Sequence, residues 1–269
     1  MRGNATLVDT KHLAAVCRIK PLWRLRCCAL PVCGFGEGDR PACFDGATAP
    51  NLPVLEEDGV VNLPSHLSFE EGATLPCAGV TAWHALVEHA RIVAGQTVLV
   101  QGTGGVSIFA LQLARLMGAQ VIVTSSSDQK LARAKQLGAA DGVNYKANPD
   151  WEKTVAELTK GGVDHVVEVG GPGTLARSLR AIRIGGKVTL VGVLSGAAEI
   201  NPMLSFSRRA NVQGISVGSK QMFEAMNRAI AVSGLKPIID KVFLLDEVPA
   251  AFRYLQSAQH LGKIVIRLG

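Results

Sequence analysis

Three glycines lie within four positions, between an apolar run and a helix-like pattern. Gly102, Gly104 and Gly105 follow the β-branched run 97–101, and apolar residues then recur at helical spacing. Gly102 would allow a sharp turn, Gly104 would let the backbone approach a pyrophosphate, and the helix amides would bind the anion. Ser107 occupies the third position of the pattern G-x-G-x-x-G. The spacing predicts dinucleotide binding, with a glycine turn in another kind of α/β protein as the alternative.

Polar residues at the end of the next predicted strand bear on which dinucleotide is bound. An acid there would bond the ribose 2′-hydroxyl of NAD, whereas this chain has Ser125, Ser126 and then Lys130. Hydroxyls and a cation suit a 2′-phosphate, so the sequence favours NADP over NAD. The alternative for Lys130 is a solvated helix face. Asp128 is expected to cap the next helix.

Strands and helices alternate between residues 95 and 235, a pattern typical of a parallel sheet covered on both faces. The predicted strands are 97–101, 120–124, 142–145, 163–169, 187–193 and 212–217. The predicted helices are 105–117, 128–137, 151–159, 174–183 and 221–233. A capping signature at Ser68 and Glu71 precedes a helix over 75–90. The fold class is therefore α/β, with a doubly wound parallel Rossmann sheet.

Composition excludes several classes of protein. Hydrophobic residues make up 48% of the 269 residues, which is enough for a core, and no apolar run is long enough to cross a bilayer. The net charge of +6 comes mostly from residues 1–26, which hold six basic residues and one acid. The folded body therefore has no strongly basic face, and we expect neither nucleic-acid nor membrane partners.

The cysteines are concentrated near the start of the chain. Five of the six precede residue 44, and their spacing matches no metal-binding framework. With no secretory signal visible, a cytoplasmic protein with free thiols is expected. The arginine-rich, acid-poor start leaves an organelle transit peptide as the alternative.

Several spaced motifs, taken together, resemble one enzyme superfamily. They are Leu75-Pro-Cys-Ala-Gly-Val-Thr-Ala-Trp83, Gly102-Thr-Gly-Gly-Val-Ser107, Gly138-Ala-Ala-Asp141, Val169-Gly-Gly171, Gly185-Gly-Lys-Val188 and Gly262-Lys-Ile-Val265. Residues 54–269 resemble the medium-chain dehydrogenase/reductase superfamily, and most closely its zinc-independent alcohol dehydrogenases and quinone oxidoreductases. The sequence is identified on these motifs as a member of that branch.

The resemblance implies two domains, a mainly β GroES-like catalytic domain and a Rossmann domain. Residues 1–85 would be an irregular segment and a truncated remnant of the catalytic domain, with a family-like turn at 36–40. Residues 86–236 would form the Rossmann domain, and residues 237–269 would return to the catalytic domain.

The resemblance also implies which residues line the cofactor. Tyr145 would stack beside the adenosine half, with a core aromatic as the alternative. The other positions are Gly102, Thr103, Gly104, Gly105, Val106, Ser125, Ser126, Lys130, Gly170, Gly171, Val193, Leu194, Ile215, Ser216 and Val217. Cys77 matches a zinc-ligand position of zinc-dependent relatives, but no Gly-His-Glu segment accompanies it. We expect Cys77 to be a buried structural thiol and no metal to be bound.

The expected function is hydride transfer between NADP(H) and a small alcohol, carbonyl, enone or quinone. No catalytic residue can be assigned. The alternative is a non-catalytic nucleotide-binding or interaction protein derived from such an enzyme. The resemblance further implies a homodimer through the edge strand near 211–217. Apolar surface on the last segment, near Ile264 and Ile266, would favour association beyond a dimer.

Overall fold

The computed structural model describes residues 13–15, 60–192 and 199–267. The predicted turn at 36–40, the cysteines that precede Cys77, and the candidate cofactor residues Val193 and Leu194 lie outside these ranges.

A six-stranded parallel sheet forms the centre of the molecule. Its strands are β3 (Thr97–Gln101), β4 (Gln120–Ser125), β5 (Asp141–Asn144), β6 (Val163–Glu168), β7 (Ile182–Leu190) and β8 (Asn211–Gly214). They lie in the order β5-β4-β3-β6-β7-β8, and every neighbouring pair is parallel. The chain reverses its direction across the sheet between β3 and β6, and ligands of open α/β sheets bind at such a point. The doubly wound prediction is confirmed.

Helices cover both faces of this sheet. They are α3 (Gly105–Leu116), α4 (Asp128–Gln136), α5 (Trp151–Leu158), α6 (Pro172–Ala181), α7 (Met203–Arg208) and α8 (Lys220–Ser233). Two further helices, α1 (Phe69–Ala73) and α9 (Val248–Gln256), contact the small sheets that lie beside the central one. The helical run that we call α2 joins a π-helical turn Leu75–Gly79, an α-helical turn Val80–Trp83 and a π-helical turn His84–His89. At the start of α1, the predicted capping box is present, because Ser68 and Glu71 each bond the other's backbone N–H.

The strands of the sheet are buried on both faces, which explains their uninterrupted apolar sequences. In β3, Val98 and Val100 pack into the core beneath α2, α3 and α8, whereas Leu99 packs into the core beneath α5 and α6. Val167 and Val166 of β6 divide between the same two cores. The two cores hold the sheet rigid, so its carboxyl edge is a fixed platform for the loops that follow each strand.

Two small sheets lie beside the central one. β9 (Ile239–Leu244) and β10 (Lys263–Arg267) form a parallel pair, and β1 (Leu13–Ala15) pairs antiparallel with β2 (Val60–Asn62). Among the described residues, no helix is long and apolar enough to cross a membrane.

Several predicted boundaries were wrong for identifiable reasons. Strand β7 begins at Ile182 rather than 187, because Ile182 already pairs with Val163 of β6. The pairing then shifts register across Gly185, which has a φ of 74°. Strand β8 ends at Gly214 rather than 217, because Val217 has a φ of 45° that cannot continue a ladder. Helix α6 spans 172–181 rather than 174–183. The short helix α7 was not predicted.

A buried polar cluster joins the end of α2 to strands β6, β7 and β8. His89 Nδ1 lies 2.5 Å from Thr189 Oγ1, and its Nε2 lies 3.2 Å from Asn211 Oδ1. His165 Nε2 lies 3.3 Å from the same Thr189 hydroxyl. Burial lowers the pKa of His165 to about 3, and neighbouring His89 and Lys187 act in the same direction. The pKa of His89 is also lowered, chiefly by burial.

We predict that this cluster makes the protein acid-labile. Unfolded histidine binds a proton near pH 6.5, whereas folded His165 binds one only near pH 3. The contribution of neutral His165 to the free energy of unfolding is therefore fully present above pH 6.5. It is lost as the pH falls toward 3, by at most about 1.4 kcal/mol per pH unit. His165→Leu should flatten the decline of the melting temperature between pH 6.5 and 4.

The control is His66→Leu, which removes a half-buried histidine outside the cluster and should leave the wild-type pH slope intact. An unchanged slope in His165→Leu would contradict the prediction.

Candidate functional site

The glycine turn after β3 leaves open space beside its backbone at the carboxyl edge of the sheet. Gly102 has a φ of 71°, and its N–H donates to the Thr124 carbonyl at 2.8 Å. A Cβ built on Gly102 or on Gly104 would meet no atom within 4 Å. The 12-residue helix α3 starts directly behind, at Gly105. Open space above a bare backbone and a helix N-terminus fits a pyrophosphate.

Ser107 fixes the angle between β3 and α3. Its hydroxyl donates to the Gln101 carbonyl at 2.6 Å, and the side chain is buried. In the glycine pattern the third glycine allows the helix to pack closely against the strand. Here Ser107 takes that position and links the helix to the strand by a hydrogen bond.

The chain segment before β10 packs against this turn from outside the sheet. The Gly262 N–H donates to the Thr103 carbonyl at 2.9 Å. A Cβ on Gly105 would lie 2.7 Å from Lys263 Cδ and 3.2 Å from Ala78 Cβ. The glycines thus serve two purposes. Gly102 and Gly104 leave open space in which a ligand fits, and Gly105 allows Lys263 and Ala78 to pack against the turn.

The three serines at the end of β4, Ser125 to Ser127, have different environments. Ser125 is buried, and its hydroxyl accepts from the Ser127 N–H at 3.3 Å. Ser127 caps α4 by accepting from the Lys130 N–H at 3.4 Å, so the expectation that Asp128 is the cap was wrong. The Asp128 carboxylate instead accepts from the Asn144 amide at 2.8 Å. Only Ser126 has a partly exposed side chain and no hydrogen bond of its own among the described residues.

The Lys130 ammonium contacts the segment between α9 and β10. It donates to the Ala258 carbonyl at 2.5 Å and to the His260 carbonyl at 2.9 Å. Burial lowers the pKa of Lys130, and Asp240 opposes that shift. The alternative of a solvated helix face is therefore wrong. An ammonium group has three donors, so one N–H of Lys130 is left beyond these two contacts.

Tyr145 follows β5 at the same edge of the sheet. Its N–H donates to the Ser125 carbonyl at 3.0 Å, and 41% of the residue is exposed. The ring is therefore not a core aromatic, and it stands beside the loop that contains Ser126.

A buried carboxylate, that of Glu168, lies at the end of β6. It accepts from Gln101 Nε2 at 2.7 Å and from the Ser178 hydroxyl. Its other oxygen accepts from the Thr174 hydroxyl at 2.5 Å and from the N–H groups of Gly170 and Gly171 at 2.9 and 3.0 Å. The carboxylate therefore holds together the end of β3, the Gly170–Gly171 loop and the start of α6.

The loops after β7 and β8 complete the edge. A Cβ on Gly192 would collide with the Val169 carbonyl group, so the loops after β6 and β7 are in backbone contact. Ile215 and Val217 are half-buried, and Ser216 is exposed. The His84 side chain, on α2, bonds the Val217 carbonyl at 2.9 Å through Nδ1.

Cys77 is exposed on α2, so the expectation of a buried structural thiol was wrong. Its neighbours Leu75, Ala78 and Gly79 take the buried positions of that helical turn. In the ranges that the structure describes, no three His, Cys, Asp or Glu side chains are grouped as a metal site. The described residues therefore do not by themselves fit a catalytic zinc, which needs three protein ligands.

The described candidate residues thus lie at the ends of five strands, β3, β4, β5, β6 and β8, along the carboxyl edge of the sheet. Gln101, Glu168 and His84 were not identified from the sequence. The first two have a recognisable signal, because each is a polar residue that ends an apolar strand at the expected cleft. His84 has none, since its contact joins residues 133 positions apart.

The sequence matches the family described as zinc-binding dehydrogenase over residues 105–231. It is 42% identical over 240 residues to a zinc-type alcohol dehydrogenase-like protein of Schizosaccharomyces pombe, covering 86% of this chain and 68% of that protein.

Solved structures share the fold. An NAD-dependent alcohol dehydrogenase is 35% identical with a TM-score of 0.74, covering 80% of this chain and 63% of that chain. The 2-octenoyl-CoA carboxylase reductase CinF, solved with NADP and 2-octenoyl-CoA, is 26% identical with a TM-score of 0.71, covering 77% of this chain and 52% of that chain. The chain therefore spans about two thirds, or less, of the length of these proteins.

We predict that the protein binds no stoichiometric zinc, because the spacing of the cysteines matches no metal-binding framework and no Gly-His-Glu segment accompanies Cys77. Elemental analysis of protein purified without added metal should give well below one zinc per chain. Cys77→Ser should not change the metal content. A stoichiometric zinc ion that is lost in Cys77→Ser would contradict the prediction.

Proposed function

Because the chain belongs to the medium-chain dehydrogenase/reductase superfamily, we propose that it transfers a hydride between NADP(H) and a small alcohol, carbonyl, enone or quinone. One observation supports this most strongly. The turn at Gly102–Gly104 is open where side chains would otherwise stand, and it lies where the strand order reverses.

The order of the strands suggests how a dinucleotide would lie. Its pyrophosphate would occupy the turn of Gly102, Thr103, Gly104, Gly105 and Val106. Its adenosine half would extend over β4 and β5, toward Ser126 and Tyr145. Its nicotinamide half would extend over β6, β7 and β8, with Gly170, Gly171, Val193, Leu194, Ile215, Ser216 and Val217 as the proposed lining residues.

In this arrangement the bound nicotinamide supplies the hydride chemistry, and the chain supplies binding and orientation. The sheet edge would hold the glycine turn in place, and the described parts of the loops after β6, β7 and β8 would border the nicotinamide. No side chain of this chain is assigned a proton-transfer role. Substrates named for the similar proteins, an alcohol and an enoyl thioester, support the proposed substrate class without selecting a member of it.

The choice of NADP over NAD rests on the end of β4. No carboxylate stands there to bond a ribose 2′-hydroxyl, since Asp128 is turned toward Asn144. Ser126 and the remaining N–H of Lys130 are the groups available to a 2′-phosphate. The solved relatives include both an NAD-dependent enzyme and an NADP complex, so they do not select between the two cofactors. The proposal of NADP therefore depends on the residues at the end of β4.

The domain boundaries at 85/86 and 236/237, the cytoplasmic location and the homodimer stay proposals. Strand β8 is the outer strand of the sheet, as the dimer prediction requires. The neighbouring helix α7 exposes Phe206. Within the described residues the outer edge of β8 pairs with no other strand, and such an edge beside an exposed aromatic favours pairing with a second copy.

The proposed function is tested by measuring binding and turnover together. NADPH binding is followed by fluorescence, and NADPH oxidation is followed with a quinone, an enone and several aldehydes. We expect micromolar binding, with oxidation that depends on one of these substrates. Binding without turnover of any substrate would select the non-catalytic alternative, and absence of binding would contradict both hypotheses.

A lysine substitution tests the choice of cofactor. Lys130→Ala should weaken NADPH binding about tenfold by removing a charge-assisted contact to the 2′-phosphate, and NADH binding should change little. Because Lys130 also bonds two carbonyls, the melting temperature of this variant should fall as well.

The matched control is Lys135→Ala on the same helix, where the lysine pairs with Asp141. This variant should leave both affinities unchanged. Equal losses of NADPH and NADH binding in Lys130→Ala would mean that Lys130 only ties the helix to the segment around residue 258.

A further inference from the structure

We infer that Glu168 is a positioning residue, which sets the backbone of the Val169–Gly171 loop for the nicotinamide half of the cofactor through its contacts with Gln101. This inference rests on the proposed function. It concerns two residues that no sequence motif singled out and that lie under the cleft rather than in it.

The Glu168 carboxylate is completely buried, so its contacts replace water. One oxygen accepts hydrogen bonds from Gln101 Nε2 and the Ser178 hydroxyl. The other accepts them from the Thr174 hydroxyl and the N–H groups of Gly170 and Gly171. All five contacts are donors to an acceptor, as a carboxylate requires. The N-terminus of α6, which begins at Pro172, favours a negative charge at this place.

The contacts of Gln101 fix the orientation of its amide. The nitrogen donates to Glu168 and to Ser178, both at 2.7 Å, while the oxygen accepts from the N–H groups of Val169 and Gly170, both at 3.3 Å. A flipped amide would place its NH₂ against two backbone N–H groups. The carboxylate therefore determines which atom of Gln101 faces the loop, and the loop backbone is held from two sides.

The same two residues connect the loop to the rest of the cleft through their backbones. The Gln101 carbonyl accepts from Ser107, at the start of α3. The Glu168 carbonyl accepts from the N–H groups of Val191 and Gly192 at 2.8 and 3.2 Å. The positions of the glycine turn, the loop after β6 and the start of the loop after β7 therefore all depend on hydrogen bonds to Gln101 and Glu168.

An amide cannot replace the carboxylate without a conflict. In Glu168→Gln, one oxygen would still serve the Thr174 and glycine donors, but the new NH₂ would face the Gln101 NH₂. Either one donor stays unsatisfied, or Gln101 flips and abandons Val169 and Gly170. The complementary change Gln101→Glu removes this conflict, because the carboxylate at position 101 would accept from both the loop and the amide introduced at position 168. The double variant again matches a donor to an acceptor at every contact and keeps the net charge, with the hydrogen bonds among positions 101, 168 and Ser178 reversed in direction.

The experiment compares wild type, Glu168→Gln, Gln101→Glu and the double variant. The control is Glu152→Gln, which changes a buried carboxylate on α5 that pairs with Arg177 and Arg180. Dissociation constants are measured for NADPH and for adenosine 2′,5′-bisphosphate, which lacks the nicotinamide half. Hydrogen exchange of the backbone amides of residues 169–171 is measured without any ligand.

We expect Glu168→Gln to weaken NADPH binding about tenfold, and to weaken adenosine 2′,5′-bisphosphate binding less than about twofold, because that ligand does not reach the loop. Exchange at Val169–Gly171 should accelerate about tenfold. The double variant should recover both the affinity and the protection, and Glu152→Gln should match wild type. A general loss of stability would weaken both ligands alike and would not be rescued by a second substitution in the core.

Wild-type affinity for NADPH in Glu168→Gln, equal weakening of both ligands, or no rescue in the double variant would overturn the inference. If wild-type protein binds neither NADPH nor NADH, the proposed function fails, and the cofactor role of Glu168 fails with it. If Glu168→Gln does not fold, Ser178→Ala removes one donor to the same oxygen and should show the same ligand difference at smaller amplitude.

Discussion

The contact between Glu168 and Gln101 joins β6 to β3, the two central strands between which the order of the strands reverses. A buried charge without donors would cost several kcal/mol, so the surrounding backbone must present donors to Glu168 wherever it folds. Those donors come from the loop after β6 and the start of α6, while the partner amide comes from β3. The requirement to satisfy one carboxylate thus fixes the positions of the elements that border the cleft. The sheet supplies the platform, and this contact sets the geometry of its edge.

The segment between α9 and β10 closes the same edge from the other side. The Gly262 N–H reaches the glycine turn at Thr103, and Ala258 and His260 bind the Lys130 ammonium through their carbonyls. Gly262 has a φ of 77°, and a Cβ there would lie 2.6 Å from the Ile238 carbonyl, so only glycine fits. The residues that return to this place from the end of the chain therefore contact the glycine turn and helix α4 as well as their own sheet.

Much of the fold was predictable because its signals are local. The apolar runs of β3 and β6 indicate burial on both faces, and the glycines after β3 indicate a turn at a helix start. The wrong predictions depend on contacts that spacing does not record. Cys77 is exposed because of the phase of an irregular π-helical turn, and Lys130 is engaged because a segment about 130 positions away reaches it. Periodicity reports which residues are buried, but it does not report which donor meets which acceptor.

Two buried titratable side chains of the sheet, Glu168 and His165, have opposite environments. Glu168 collects five donors and a helix N-terminus, all of which stabilise a negative charge. His165 Nε2 lies 3.3 Å from the Thr189 hydroxyl, and a backbone hydrogen bond with Lys187 favours the charged imidazole. Burial and the nearby charges of His89 and Lys187 act more strongly in the opposite direction. Its charged form is therefore disfavoured, and burial lowers its pKa to about 3. The charged group lies at the carboxyl edge, where helix starts and loop amides supply donors. The uncharged group lies deeper in the sheet, where the strand amides are already bonded to one another.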